Sequence, residues 1–246
     1  LCDINAETIE AWKSWMKAKG HQIINIQISI NILRHIFLDA MEQRKMAGDP
    51  FKGTKPVGQH LRTLHPLTDE EETALLKAFM KTNQPELHIL ELTIGIPRPE
   101  LIAVTRAALK ARPGYLRIDG RINAKKERIE LREDSKREIP LAPESRVLFQ
   151  IAESRQNKKE EKYGKNPLDL VFTNQRNGTL RHSWSNEETT KIRELSGLKK
   201  VDAKALVHNY GIRAVRAGEN PKAIKSYQGF ARSEERRVGI RSRYRV

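Results

Sequence analysis

Residues Val201–Ala231 read VDAKALVHNYGIRAVRAGENPKAIKSYQGFA. Apolar side chains recur there at helical spacing and predict a helix that turns Ala205, Leu206, Tyr210, Ile212 and Val215 inward. Gly218 closes that helix, because glycine enters the left-handed conformation of a helix end without penalty. A second short helix is predicted to follow, with Pro221 in its first turn, where the missing N–H costs nothing. Ile224 falls on its buried side, and Gly229 ends it.

The chain has 246 residues, enough for one large or two modest domains, each with a core. Its net charge is +15, with 31% charged and 38% hydrophobic residues. Such a balance favours a polyanionic partner, although a solvated lysine-rich surface gives the same figure. No apolar run reaches the roughly 18 residues that span a bilayer. No basic amphipathic helix with an aromatic apolar face is present, which disfavours a membrane surface. The opening residues, LCDINAETIEAW, lack the pattern of a secretory leader, and the missing initial Met reads as a fragment or processed form. One cysteine, Cys2, excludes a disulfide framework and fits a reducing compartment. The seven histidines show no metal-ligand spacing, and the scattered glycines form no phosphate-cradling loop. No metal and no small-molecule cofactor is therefore expected.

Residues 6–19 read as an amphipathic helix through Ile9, Trp12, Trp15 and Met16. The next segment, Gln22–Met46, alternates like a strand from Ile24 to Ile32. From Ile32 the period is helical, through Leu33, Ile36, Phe37, Ala40 and Met41. The segment is read as one helix, stopped by Gly48-Asp49-Pro50. Residues 52–66 fit a linker or a plain surface loop equally. Thr68-Asp69-Glu70-Glu71 is a capping box for a helix carrying Ala74, Leu75, Leu76 and Phe79. A helix over Glu86–Thr93 runs into the turn Gly95-Ile96-Pro97-Arg98-Pro99-Glu100-Leu101. The helix after it carries Leu101, Ile102 and Val104. Strands are predicted at Tyr115–Ile118, Arg128–Leu131 and Glu138–Leu141, forming one small antiparallel sheet with a polar turn at Asn123–Glu127. Residues 144–155 read as helix, Arg155–Asn166 as a charged loop, Asn174–Gly178 as a turn and Trp184–Ser196 as helix. The tail from Arg232 holds six arginines in fifteen residues.

Taken together, these segments resemble the tyrosine recombinase (phage integrase) family. Its signature box reads H-x-L-R-H, a helix, a Gly, an Ile and then L-G-H. Leu206, His208, Gly218, Ile224 and Gly229 fall on that pattern without a gap. Lys204 stands in place of His, Val207 in place of Arg, and Phe230 in place of His or Trp. The turn Gly95–Leu101 is similar to G-L-R-x-S-E-L, with Pro97 at the Arg position and Arg98 one residue later. Arg137-Glu138-Ile139-Pro140-Leu141 is similar to R-x-V-P-L. Counting back from it, Arg132 takes the place of the hairpin Lys, with Lys136 off register. The segment ending in Gly48-Asp49-Pro50-Phe51 resembles the close of a core-binding domain.

The resemblance implies a mostly α fold with a small antiparallel sheet. It implies a helical core-binding domain over 1–62 and a recombinase-like catalytic domain with a basic tail over 63–246. The family cuts DNA with a tyrosine hydroxyl, giving a 3′-phosphotyrosyl link that is later rejoined. Two arginines clamp the charge of the transition state, and a lysine protonates the leaving oxygen. Here Pro97 has no donor, Val207 is apolar, and Gly239 falls where the nucleophile lies. Arg132 keeps charge but is a poor acid. The displaced candidates are Arg98, read as a solvated or phosphate-touching side chain, His208, and Tyr244, read as a surface tyrosine. Lys125, Lys126, Arg132, Lys204, Arg241 and Arg243 are the expected phosphate contacts. The implied partner is double-stranded DNA, with a homo-oligomer assembled on it, in the cytoplasm of a bacterium or of phage origin. Three readings follow: a DNA-binding protein with strand cleavage impaired or lost, an active recombinase using Arg98, Arg132, Lys204 and Tyr244, or a relic or knockout of the fold.

Overall fold

The computed structural model describes residues 4–46, 48–57 and 66–229. The chain divides into two compact units, Leu1–Thr63 and Leu64–Val246.

The first unit holds α1 (Ala6–Ala18) and α2 (Ile23–Glu42). Asn5 caps α1 by accepting the Thr8 N–H at 2.9 Å. The alternating isoleucines are helical throughout. Ile26 and Ile30, four residues apart, share the buried face with Phe37, and they pack with Ile9, Phe51 and Val57. Helix α2 stops at Glu42, ahead of the Gly48-Asp49-Pro50 signal, and Arg44 turns the chain with φ of 57°. Residues 52–57 are bound into this unit rather than forming a linker. The Lys55 carbonyl accepts from Lys13 Nζ at 2.5 Å, and its N–H donates to Glu10 Oε1 at 2.7 Å. Residues 58–65 lie outside the described ones.

The second unit is mostly helical. Its elements are α3 (Asp69–Phe79), α4 (Pro85–Ile94), α5 (Arg98–Leu101), α6 (Arg106–Lys110), β1 (Tyr115–Ile118), β2 (Gly120–Ile122), β3 (Arg128–Glu130), β4 (Arg137–Pro140), α7 (Pro143–Tyr163), α8 (Asn186–Ser196), α9 (Ala203–Arg216) and α10 (Pro221–Tyr227). The capping box of α3 forms as read: Thr68 Oγ1 accepts the Glu71 N–H, and Glu71 Oε2 accepts the Thr68 N–H. Helix α4 is buried nearly all round and lies between two apolar clusters. Leu87, Leu90 and Ile94 join one with Leu116, Ile118, Phe149 and Phe172. Leu92 joins the other with Leu75, Phe79, Trp184, Ile192 and Leu206.

Four expectations are corrected. The small sheet is two antiparallel pairs, β1 with β4 and β2 with β3. Strand β2 was too short to show alternation. Asp119 separates it from β1, and its carbonyl accepts the Leu131 N–H at 2.8 Å. The charged loop from Arg155 is helix as far as Tyr163. Lys, Glu, Gln and Arg are good helix formers, and buried Gln156 anchors the segment by donating to Asn177 Oδ1 at 2.6 Å. The helix after the Gly95 turn is two short pieces, because Val104 and Thr105 pair with the Leu170–Val171 segment instead. Finally, α9 buries Leu206, Val207, His208, Asn209, Gly211 and Ala214, whereas Ala205, Tyr210, Ile212 and Val215 are half-buried. The helix packs on α4 and on α10, so its covered face is wider than one apolar stripe.

Candidate functional site

Within the second unit, the segments that carry the family resemblance converge. Gly95 ends α4 in the left-handed conformation, with φ of 69°. A Cβ on it would lie 2.1 Å from a ring carbon of Tyr210. Only glycine therefore lets α9 close against the end of α4. Glu100, at the end of the turn, is ion-paired with Arg137 at the start of β4. Arg137 Nε donates to the Tyr227 carbonyl at 2.7 Å. One guanidinium thus joins the turn, the sheet and the end of α10. Gly229 follows with φ of 72°, and a Cβ there would meet that guanidinium at 3.0 Å. Gln228, fully buried, donates from Nε2 to the Val207 carbonyl at 2.9 Å and ties α10 to α9. Burial pushes the Glu100 carboxyl above its ordinary value even beside Arg137.

The side chains at the positions read from the sequence as the family's chemical ones are another matter. Pro97 is half-buried and is the N-cap of α5. Val207 is buried, and an apolar side chain there has nothing to offer a phosphate. Lys204 is exposed in the first turn of α9. His208, on the next turn, is buried. Lys125 and Lys126 are exposed at the tip of the β2–β3 hairpin, where Asn123 and Glu127 close the turn. Strand β2 packs against α5, which sets the hairpin beside the turn. Arg132 is exposed ahead of a short 3-10 turn over Glu133–Ser135. Lys136, off register in the sequence, pairs with Glu130 and Glu133, both at 2.5 Å. Phe230, Gly239, Arg241, Arg243 and Tyr244 lie outside the described residues.

Arg98 is the main correction. It is neither solvated nor open to a phosphate, since only 3% of its surface is exposed. Its Nη1 donates to Glu91 Oε1 at 2.8 Å, and its Nη2 to Glu188 Oε1 at 3.0 Å. Glu91 is wholly buried and also accepts from Trp184 Nε1 at 2.9 Å, with His88 Nδ1 at 3.2 Å. Burial alone drives the Glu91 carboxyl up. The charge of Arg98 and the hydrogen bonds from His88 and Arg98 outweigh burial and hold it below its ordinary value. Glu188 serves twice, because its other oxygen caps α8 through the Ser185 N–H at 2.8 Å. The reason Arg98 turns inward is therefore Glu91. A carboxylate set among Leu90, Leu92 and Ile94 needs a counter-charge, and Arg98 is the nearest in sequence. That signal was present in the string LHILELTIGIPR, as one acid inside an apolar helix seven residues before an arginine.

Among the described residues, no three metal-ligating side chains cluster and no helix is long and apolar enough to cross a membrane.

No family model matches the sequence, and no curated protein matches it. Solved structures do. An integrase of the Tn1549 transposon in complex with circular intermediate DNA superposes with a TM-score of 0.78 at 18% identity, over 100% of this chain and 82% of that one. A lambda integrase dimer bound to a COC′ core site gives 0.69 at 15% identity, over 96% and 79%. A lambda integrase tetramer bound to a Holliday junction gives 0.68 at 15% identity, over 96% and 66%. Mostly helical, with two short antiparallel ladders beside the Gly95 turn and the α9–α10 pair closed upon it, this chain has the fold of the tyrosine recombinases.

Proposed function

We propose that this chain binds double-stranded DNA through the exposed basic groups of a recombinase fold and does not cut it. The observation that carries the reading is the state of the two arginine positions. Pro97 and Val207 fill them, and Arg98, next in sequence to Pro97, is spent inside on Glu91 and Glu188. In the family's reaction, two guanidinium groups hold the non-bridging oxygens as negative charge builds on phosphorus. Losing one such donor typically costs roughly 100- to 1,000-fold in rate. With neither in place, a phosphate bound here is held as a ground state only. Drawing Arg98 outward in the displaced-group alternative would strand the Glu91 carboxylate in the core. Breaking a buried pair in that way costs about 3–5 kcal/mol.

Binding needs no such group. Lys125, Lys126, Arg132 and Lys204 are exposed, and Arg241 and Arg243 add charge from the tail. Contacts of this kind set position on the duplex without reading sequence. Assembly as a homo-oligomer on DNA and a cytoplasmic, DNA-associated location in a bacterial or phage setting accompany this reading. A mobility-shift titration tests it. Binding weakens with salt at a log–log slope near −0.9 per phosphate neutralised, for roughly five phosphates. No binding at low salt, or binding indifferent to salt, contradicts it.

A further inference from the structure

The β2–β3 hairpin is a slight structure. Its ladder pairs Gly120 with Glu130, Arg121 with Ile129 and Ile122 with Arg128. A two-stranded hairpin is marginal alone and needs a body to pack on. Strand β2 has one, since Gly120 and Ile122 are buried. Strand β3 has no buried side chain. Two of its side chains reach beyond the hairpin. Exposed Glu130 pairs with Lys136. Arg128 turns inward, with 18% of its side chain exposed. Its Nε donates at 3.0 Å to the carbonyl of buried Ala103, just after α5. Its Nη2 donates to the carboxylate of Asp119, between β1 and β2. Gly120 leaves room for this guanidinium, because a Cβ there would lie 2.6 Å from it. Gly120 is extended strand, so space alone calls for glycine. The other hairpin cations, Arg121, Lys125 and Lys126, are exposed.

We infer that Arg128 is a positioning residue, which anchors the hairpin so that Lys125 and Lys126 meet DNA already ordered. The inference rests on the DNA-binding reading above. Ordering a loop and its side chains on contact is subtracted from affinity, and an anchored loop avoids that cost. The guanidinium suits the task, since its donors point in fixed planar directions, here to one carbonyl and one carboxylate. Lysine at 128 would keep the charge and lack the fork. A guanidinium spent on Ala103 and Asp119 does not contact a phosphate, so Arg128 acts through the two lysines. The tip is closed separately, by Asn123 Nδ2 donating to Glu127 Oε2 at 2.8 Å and the Glu127 N–H donating to Asn123 Oδ1 at 2.9 Å. Releasing the base therefore frees the direction of the arm and keeps its turn.

Mobility-shift titrations of the full chain on one duplex, across a range of salt, test the inference with Arg128→Ala, Arg128→Lys and Gly120→Ala. Gly120→Ala keeps every charge and displaces the guanidinium, and it carries the test if Arg128→Ala does not fold. Each variant should bind about tenfold more weakly at the native salt slope, because the lysines neutralise the same phosphates once bound. Without DNA, amide exchange should quicken in the hairpin and stay native in α4. Lys125→Ala with Lys126→Ala supplies a readout that a merely structural role does not move. In that background Gly120→Ala should cost no further affinity. If Arg128→Ala lowers the salt slope by about one while Gly120→Ala binds like the native chain, Arg128 is itself a phosphate contact and the inference is overturned. A Gly120→Ala loss that persists undiminished without the lysines overturns it as well, and so does native affinity in all three variants. In these three cases the DNA-binding reading stands. A native chain that binds no DNA at low salt removes that reading and the inference with it.

Discussion

Two sets of charged residues in the second unit are arranged in opposite ways. Around α4, Glu91, His88 and Arg98 are buried and pair with one another and with half-buried Glu188, and Trp184 completes the shell. On the hairpin and on α9, Lys125, Lys126, Arg132 and Lys204 face solvent. The two sets lie on adjoining segments, and in sequence they look alike. The difference teaches that proximity to a turn of catalytic resemblance does not make an arginine available. Arg98 sits one residue from the position read from the sequence as the clamp, but a buried carboxylate claims it. The inner set holds the turn Gly95–Leu101 and the start of α8 together, and the outer set is left for a partner.

Removing a member of each set should separate them most sharply. Arg98→Ala leaves Glu91 buried without its main counter-charge, at a cost of about 3–5 kcal/mol. For a unit of this size that lowers the melting temperature by roughly 6–20 °C. Lys204→Ala should alter stability by no more than about 0.5 kcal/mol. Calorimetry of the two variants checks the contrast, and equal melting temperatures would erase it.

Acid gives a smaller effect of known sign. The folded Glu91 carboxyl titrates below its unfolded value, so its contribution is complete above the unfolded pKa, about 4.3. That contribution is lost as pH falls through the lowered folded value. Glu100 titrates above its ordinary value and works in the opposite sense. Comparing Glu91→Gln with the native chain cancels the Glu100 contribution. The stability gap in urea unfolding should be full at pH 7 and narrow in acid below the unfolded value. A gap constant across that range would place Glu91 outside the ionised network.

The outer set has the mildest expected effect. Lys125→Ala with Lys126→Ala should leave melting unchanged and weaken binding about equally on all duplexes. The salt slope should shrink by about one for each phosphate that is no longer neutralised. An unchanged slope would move the interface away from the hairpin.

Much of this arrangement was legible in the residues. The capping box at Thr68, the helix ends at Gly95, Gly218 and Gly229, and the first strand, Tyr115–Ile118, follow from local chemistry that tertiary packing does not override. The order of the motifs pointed to the fold. What stayed hidden depended on partners far along the chain. The second carboxylate that holds Arg98, Glu188, lies ninety residues away. The pairing of β1 with β4 rather than β3 could not be read from alternation in either strand. The buried face of α9 includes His208 and Asn209, which apolar periodicity does not mark. Asn209 Oδ1 in fact accepts the Leu67 N–H at 3.0 Å, a bond between distant segments. The continuation of α7 to Tyr163 was obscured by charge, which marks exposure better than it marks a loop.

The candidate site can also be rebuilt. Pro97→Arg, Val207→Arg, Lys204→His, Phe230→His, Arg132→Lys and Gly239→Tyr together restore the family's groups in the register read from the sequence. Cleavage by that variant would support the register. A variant that folds and binds DNA but stays inert would show that the register is wrong, whatever the fold.

The most direct test concerns the native chain. A nicked suicide duplex traps any phosphotyrosyl intermediate, because the cut strand diffuses away before it can be rejoined. The duplex is incubated with the native chain and with Tyr244→Phe, and both are resolved on a denaturing gel. With Pro97 and Val207 at the positions read from the sequence as the clamp, and Arg98 held by Glu91 and Glu188, the proposed function gives no covalent protein–DNA band in either lane. A band in the native lane that disappears with Tyr244→Phe would contradict the account and make Tyr244 the nucleophile.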